Sequence, residues 1–189
     1  MPYNIPTVTT SDISFGPARL FLGTSTYAGA PGDTPSVDVG AIAEDGIGLE
    51  ISNEVKTIMQ GNPRVQVYAF SQQSNVNVKV TSIEWDFTNL AYALGGGVTT
   101  VSGSAETFAF GGEPAITEVA IKIEHYMAVS GNTMEIYVWK AQSNTGVSPQ
   151  FGQDEHSFEY GFTAIRATTS WDGIGLAENQ QLLKFNRIL

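Results

Sequence analysis

The sequence predicts a mainly β domain that carries one short α-helix, at about residues 86–94. Apolar and polar residues alternate with a period of two through much of the chain, which is the pattern of half-buried strands. Gly, Pro, Asn and Ser cluster between these segments and predict turns. Only one segment places its apolar residues at helical spacing. We therefore expect a single domain over residues 1–189, with residues 1–14 as an extended N-terminal arm.

A strand that enters the helix is the central feature of this prediction. Residues Val76–Val80 alternate apolar and polar side chains, so the valines share one face. The apolar positions then shift to Ile83 and Trp85. Because a step of three breaks the period of two, we expect a bulge at Thr81–Ser82 that redirects the end of the strand.

The helix has recognisable signals at both ends. Asp86 can accept hydrogen bonds from the free N–H groups of the first turn, and Trp85 can pack onto Leu90. Gly95 favours the left-handed conformation that ends a helix. An isolated short helix is marginal in water, so we expect it to pack on a sheet. The residues predicted to pack the helix and the core are Trp85, Phe87, Leu90 and Leu94.

Residues 46–70 predict a long two-stranded hairpin. Asp45-Gly46 is a turn signal before the first strand, and Gly61-Asn62-Pro63 is a turn signal between the strands. Polar residues 72–75 are expected to turn the chain into the next strand. From 47 to 56 the apolar and polar faces separate clearly. The polar face consists of Glu50, Ser52, Glu54 and Lys56.

Residues 116–127 and 133–141 predict a second hairpin, and 155–168 predict a further strand. The 133–141 strand is bulky on both faces, which indicates burial on both. We expect the helix, a loop or another subunit to cover its second face. The apolar tail 182–189 is expected to dock on the domain. The candidates for a subunit interface are Tyr137, Trp139, Phe158, Tyr160 and Phe162.

Composition limits the classes of function. Charged residues make up only 15% of the chain, below the roughly 25% of average globular proteins. Either other subunits cover much of the surface, or the surface is polar but uncharged. The net charge of −10 argues against tight binding to nucleic-acid phosphates. The chain has no cysteine, no membrane-spanning apolar run and no recognisable signal peptide. These absences predict a protein that is made and used in the cytoplasm, or assembled there.

No pattern of catalytic or metal-binding residues is present. The sequence lacks a nucleophile elbow, a phosphate-binding loop and a zinc-protease motif. Asp154, Glu155 and His156 are adjacent on an expected strand, so they alternate faces and cannot all reach one ion. His125 is expected on the polar side of a strand. We expect no enzyme activity, no metal and no cofactor.

The order of these elements resembles the tail tube proteins of tailed bacteriophages. A strand enters a short helix as E-W-D-F-T-N-L-A-Y-A-L-G-G-G, residues Glu84–Gly97. The long excursion Gly46–Phe70 precedes it. The hairpin Ile116–Ala141 follows, and then a polar loop and the strand S-F-E-Y-G-F-T-A-I-R, residues Ser157–Arg166. The resemblance extends from about Phe15 to the C-terminus.

This resemblance implies a β-sandwich or barrel with a flanking helix, and six copies per ring in a stacked tube. DNA would pass through the lumen to the host without stable binding. The implied partners are other copies of the chain and other tail proteins: the tape measure, the terminator, and the baseplate or tip. The implied location is the virion, after assembly in the host cytoplasm. An acidic lumen would repel phosphates, so we expect Glu50, Ser52, Glu54 and Lys56 to line it. Tail completion, baseplate hub and type VI secretion tube proteins share the fold family. The sequence features fit contractile and non-contractile tails equally.

Two other functions remain open at this stage. The first is a β-sandwich binding module, such as a tail tip, decoration or carbohydrate-binding protein, in which Trp139, Trp171 and Tyr160 stack on the ligand. The second is a β-sandwich hydrolase that depends on a single glutamate.

Overall fold

The fold is known from a computed structural model, which describes residues 16–25, 34–84, 86–112, 116–147 and 156–189. These ranges form a large antiparallel sheet, a separate two-stranded sheet and a single α-helix, so the mainly β prediction is confirmed. The elements are β1 (Ala18–Thr24), β2 (Val37–Asp38), β3 (Ile42–Gln60), β4 (Val65–Ser82), α1 (Phe87–Leu94), β5 (Val98–Ser102), β6 (Ala105–Ala109), β7 (Glu118–Met127), β8 (Asn132–Ser143), β9 (Phe158–Ala164), a 3₁₀ turn (Glu178–Gln180) and β10 (Leu183–Ile188).

The large sheet has the strand order β2-β1-β7-β8-β9-β4-β3, and every pair is antiparallel. Strand β8 branches the sheet. Its residues 141–143 pair with β9, whereas residues 133–138 pair with β10 on the same side. The predicted docking of the C-terminal tail is therefore achieved by β10, which pairs with the N-terminal half of β8.

The main core lies on one face of this sheet. Val76, Val78 and Val80 of β4 are each 1% exposed, and their alternation follows the predicted period. They pack in one cluster with β1 and β7 residues such as Leu20 and Ile121, both fully buried. Each buried apolar side chain of this size contributes about 1.5–3 kcal/mol relative to exposure.

Strand β4 continues beyond the point where we expected a turn. Residues 72–75 lie inside the strand, and Gln73, Ser74 and Asn75 pair with Glu54, Asn53 and Ser52 of β3. The prediction of a turn there is wrong. Polar residues are compatible with a strand when its backbone hydrogen bonds are made and its side chains face solvent. A run of polar residues therefore did not by itself indicate a turn.

The predicted bulge at Thr81–Ser82 is also wrong. Both residues stay in register with β9, and Ser82 continues the buried face of the valines with no exposed surface. Its hydroxyl lies 3.4 Å from the carbonyl oxygens of Val39 and Ala41, where it can donate a hydrogen bond. The irregularity lies in β3, between Ile42 and Ile47. A buried serine thus produced the apparent break in the apolar pattern.

The ends of the helix are as predicted. The Asp86 carboxylate accepts hydrogen bonds from the N–H groups of Thr88 and Asn89, at 2.7 and 3.0 Å. Gly95 adopts φ 66°, and its N–H donates to the carbonyl of Tyr92. These contacts satisfy backbone groups that a helix otherwise leaves free.

The buried face of the helix differs from the predicted stripe. Its fully buried residues are Asn89 and Ala93, whereas Phe87, Leu90 and Leu94 are half-buried. Asn89 is 1% exposed, and its amide donates to the carbonyls of Asp38 and Val39 at 3.3 Å. The buried face of the helix therefore combines a polar contact to the β2 segment with the apolar contact of Ala93 in the core. Trp85 lies outside the described residues.

Strands β5 and β6 form the small second sheet beside the helix. The residues of this hairpin are exposed except for Phe108, which is half-buried and packs against Phe87 with ring centroids 5.9 Å apart. The segment after the triple glycine, predicted as a loop or a short hairpin, is thus a hairpin, and its Phe108 packs on the helix.

Candidate assembly surface

The outer part of the β3–β4 hairpin carries the largest group of exposed large apolar side chains that the structure describes. We call residues 55–72 the distal hairpin. Every residue in it is exposed. The large apolar side chains it carries are Val55, Ile58, Met59, Val65, Val67, Tyr68 and Phe70, with exposures from 38% to 62%. Contiguous apolar exposure of this kind marks an interaction surface more often than an ordinary solvent face.

The register of the distal hairpin shows which of these side chains share a face. Lys56 pairs with Phe70, and Ile58 pairs with Tyr68. Directly opposed residues in an antiparallel pair lie on the same face. The rings of Tyr68 and Phe70 are 6.2 Å apart. One face of the distal hairpin is therefore an aromatic and aliphatic band beside a lysine.

The predicted lumen residues lie on a polar band closer to the body. Glu50, Ser52 and Glu54 pair with Asn77, Asn75 and Gln73 of β4. The hydroxyl of Thr163 in β9 donates to the Asn77 amide oxygen at 2.9 Å, so the band extends to a third strand. Glu50, Glu54 and Lys56 are exposed and Ser52 is half-buried. Lys56 lies past a register shift, opposite Phe70. Their place in a lumen stays a prediction.

Three of the five predicted interface residues are core residues of the chain itself. Phe158, Tyr160 and Phe162 are 2%, 1% and 0% exposed, and they pack with the β4 valines. They face the interior because they pair with Ser82, Val80 and Val78 of β4, and directly opposed residues share a face. A second copy cannot contact side chains that the subunit already encloses.

Burial also affects the ionisation of Tyr160. Loss of hydration in the core raises the pKa of its hydroxyl to about 12, since the charged phenolate is disfavoured there.

Trp139 and Tyr137 belong to an aromatic cluster on the other face of β8. The ring of Trp171 lies 4.7 Å from that of Trp139 and 5.0 Å from that of Tyr137, in edge-on geometry. The indole N–H of Trp139 donates to the carbonyl of Gln180 at 2.9 Å. The second face of β8, which we expected a helix, loop or subunit to cover, is covered here by the chain's own C-terminal segment.

This cluster removes the basis of the carbohydrate-binding alternative. Trp139 is 6% exposed, Trp171 is 7% exposed and Tyr160 is 1% exposed. Stacking on a sugar requires an open aromatic face, and none of the three rings presents one. Tyr137 is half-buried. Its hydroxyl donates to Glu135, and loss of hydration, followed by that carboxylate, raises its pKa.

An open trough lies where β3 begins, beside β7 and β8. Its volume is about 670 Å³. Its apolar walls include Ile47, Leu49, Ile123 and Ile136, and Glu44 and Asp45 lie in its lining on the irregular segment of β3. Both carboxylates are exposed. The trough thus combines apolar walls with acidic groups.

A smaller apolar pocket of about 250 Å³ lies at the C-terminal end of the helix. The glycines after the helix and Leu94, Val98, Phe110 and Ile116 line it. Val98, Phe110 and Ile116 are exposed by half or more. This pocket and the trough are two separate concave apolar surfaces on one subunit.

The ligand-type residues that the structure describes form no candidate metal site. The ring Nδ1 of His125 lies 3.2 Å from the carbonyl oxygen of Pro17. Asp154 and Glu155 lie outside the described residues, and His156 lies at their edge. Within the described ranges, no three His, Asp or Glu side chains are placed to hold one metal ion. Within the same ranges, no helix is long and apolar enough to cross a membrane.

Comparison with known proteins gives likeness to solved structures only. No family model matches the chain, and no curated protein matches it. Among solved structures, the chain is similar to one from a cryo-EM structure of an extracellular contractile injection system, the PVC sheath–tube complex in its extended state. The two are 14% identical, with a TM-score of 0.47, over 85% of this chain and 96% of that chain. At this low similarity the likeness supports no function.

Sequence reasoning did not single out the apolar residues of the distal hairpin. The signal was present, because Val65 and Val67 alternate with Tyr68 and Phe70 in a segment that has apolar side chains on both faces. Such a segment usually indicates a strand buried on both sides. Here it is exposed on both sides.

Proposed function

We propose that the chain is a structural subunit that assembles with copies of itself, six per ring, into a stacked tube of the bacteriophage tail type. The tube would form the channel for genome delivery. It would be assembled with other tail proteins in the host cytoplasm and would carry no catalytic site. The order of the elements in the sequence supports the choice of family.

The distal hairpin is the observation that carries this proposal. An isolated two-stranded hairpin is marginally stable in water and needs further strands or a packed face. This one extends from the body with seven large apolar side chains exposed. The hairpin's extended strand pairing and its exposed apolar area are both explained if other copies of the chain cover it.

The edges of the sheet support closure into a ring. Strand β3 pairs with β4 on one side, and strand β2 covers only residues 21–22 of β1. Both ends of the sheet therefore offer unpaired backbone groups among the described residues. Pairing of one subunit's edge with the next would extend the sheet around a ring and remove edges that otherwise promote aggregation.

The polar band supports a lumen that does not hold DNA. Its residues are amides, hydroxyls and the carboxylates of Glu50 and Glu54, and the two carboxylates repel phosphates. Lys56, the fourth residue predicted for the lining, adds one positive charge at its distal end. A basic lining would bind the DNA through release of counterions and would slow its passage. Placement of both glutamates on the outer surface of an assembled tube would refute this part of the proposal.

Negative-stain microscopy with light scattering tests the assembly. The wild-type chain is expected to form hollow rods of uniform width. The double change Ile58→Ser with Tyr68→Ser is expected to abolish the rods, because it removes the directly paired Ile58 and Tyr68 side chains from the apolar band of the distal hairpin. The matched control is Val101→Ser, which removes an apolar side chain that is 70% exposed on the small sheet. A wild-type chain that stays monomeric at high concentration contradicts the proposal.

A further inference from the structure

Positive charge is unevenly distributed along the chain. The distal hairpin contains Lys56 and Arg64 and no acidic residue, so its charge is +2. The remaining residues hold seven of the nine cations and all 19 acids, which gives 7 − 19 = −12. The described segment with the largest group of exposed apolar side chains is thus also a cationic segment on a strongly acidic protein.

Among the residues that the structure describes, these two cations are also the ones for which no partner is found. Arg19, Lys79, Lys122 and Lys140 pair with carboxylates, and the other three cations outside the distal hairpin also have interaction partners. Among the described residues, Lys56 and Arg64 have no ion pair, hydrogen bond or ring contact. An unpaired cation beside apolar residues can bind a groove that has acidic groups and apolar walls.

The trough has the complementary properties. Glu44 and Asp45 are exposed, and within the described ranges neither has a cationic partner. The walls beside them are aliphatic. Its volume of about 670 Å³ lies within the roughly 300–1,000 Å³ of pockets that enclose ligands. An arginine with its flanking apolar side chains matches this combination of charge and surface.

The tip of the hairpin is remote from the trough of its own chain. Residues 47 to 60 of β3 separate the two, which is about 40 Å of strand at roughly 3.3 Å per residue. None of the turn residues 61–64 lines the trough. A contact between tip and trough therefore joins two copies. Because it joins two different surfaces, it can repeat from copy to copy, and it builds an open stack where the rotation between copies does not close a ring.

We propose that the tip of the distal hairpin, with Arg64, docks in the trough of a second copy, where Glu44 and Asp45 pair with the guanidinium. This inference rests on the proposed function and specifies the contact through which copies stack. Hairpin-to-hairpin contact is disfavoured in comparison, because it would bring like charges together. Arginine is well suited to the role because its planar fork pairs with carboxylates bidentately.

Charge reversal with reciprocal rescue tests this contact on the full chain. Arg64→Glu is expected to raise the critical concentration for rod formation at least about tenfold, and Glu44→Arg with Asp45→Arg is expected to do the same. Combination of all three changes is expected to restore the critical concentration to within about threefold of wild type, since the pair is re-formed with opposite polarity. Light scattering gives the concentration and microscopy gives the form of the assembly.

Lys79→Glu is the matched control. It changes the net charge by the same amount as Arg64→Glu, at an exposed side chain whose pair with Glu159 is 3.8 Å long. Such surface pairs contribute little, so assembly is expected to stay within about threefold of wild type. Circular dichroism of each variant at low concentration establishes that the subunit is folded.

The outcomes separate this inference from the function on which it rests. A wild-type chain that forms no rods refutes both. Rods that form equally well with Arg64→Glu, with the trough variant and with Lys79→Glu refute the docking alone and leave the tube standing. Loss of assembly in both single-surface variants without rescue in the combination also refutes the pairing of these residues.

Discussion

The two halves of the β3–β4 hairpin share one backbone ladder and have opposite surroundings. In the half near the body, Val76, Val78 and Val80 are each 1% exposed. In the distal half, residues of similar apolar character are up to 62% exposed. Pairing of the two strands is therefore independent of burial, and only a further layer buries the side chains. The near half has that layer within the chain, and the distal half lacks it.

Removal of a core side chain should have the largest effect on the isolated subunit. Phe162→Ala empties a site that is fully buried on β9 and should lower the free energy of unfolding by about 3–5 kcal/mol. Denaturant unfolding at a concentration below assembly measures this value. A loss under about 1 kcal/mol would show that the near half is not packed as described.

Alkaline pH should weaken the core by a smaller amount. Burial raises the pKa of Tyr160 from its ordinary value of 10.0 to about 12. The unfolded chain therefore loses this proton at a lower pH than the folded chain does. The difference contributes about 3 kcal/mol to the free energy of unfolding; this contribution is fully present below pH 10 and is lost as the pH rises to about 12.

Unfolding measured across this pH range should show the loss. The same measurement on Tyr160→Phe, which cannot ionise, should show a shallower decline. Equal declines in the two proteins would mean that another group causes the effect.

Change in the distal half should have the smallest effect on the subunit. Tyr68→Ser alters a side chain that is 62% exposed, so the free energy of unfolding below the assembly concentration should change by less than about 0.5 kcal/mol. Denaturant unfolding beside Phe162→Ala gives the contrast directly. A large destabilisation would indicate that the distal hairpin is already packed within a single chain, and the comparison between the halves would fail.

Features set by near neighbours in the chain were predictable from the sequence. Asp86 caps the helix, Gly95 ends it, and residues 61–64 form the hairpin turn, as expected. A cap or a turn depends on contacts within about four residues, so the local residue types suffice. Strand alternation around residues 76–80 was equally clear because the core face has a strict period of two.

Features set by distant residues were not predictable in this way. The sequence shows that Phe158, Tyr160 and Phe162 share a face, but β4 beside β9 decides that this face is interior. Ser82 broke the apolar pattern, yet the carbonyls of Val39 and Ala41 satisfy it in the core. The helix turns Asn89 inward because the β2 segment offers it carbonyl acceptors.

The sequence by itself determined a β-rich chain with one capped helix and a long hairpin, since local backbone preferences and period-two patterning fix those features. Only the tertiary structure decided which apolar faces are already covered by the chain and which remain open. The physical reason is that alternation records that a strand has an apolar face, whereas burial depends on what lies opposite that face. The core lies opposite the apolar face of β9, and Trp171 lies opposite the second face of β8. No described part of this chain lies opposite the apolar face of the distal hairpin.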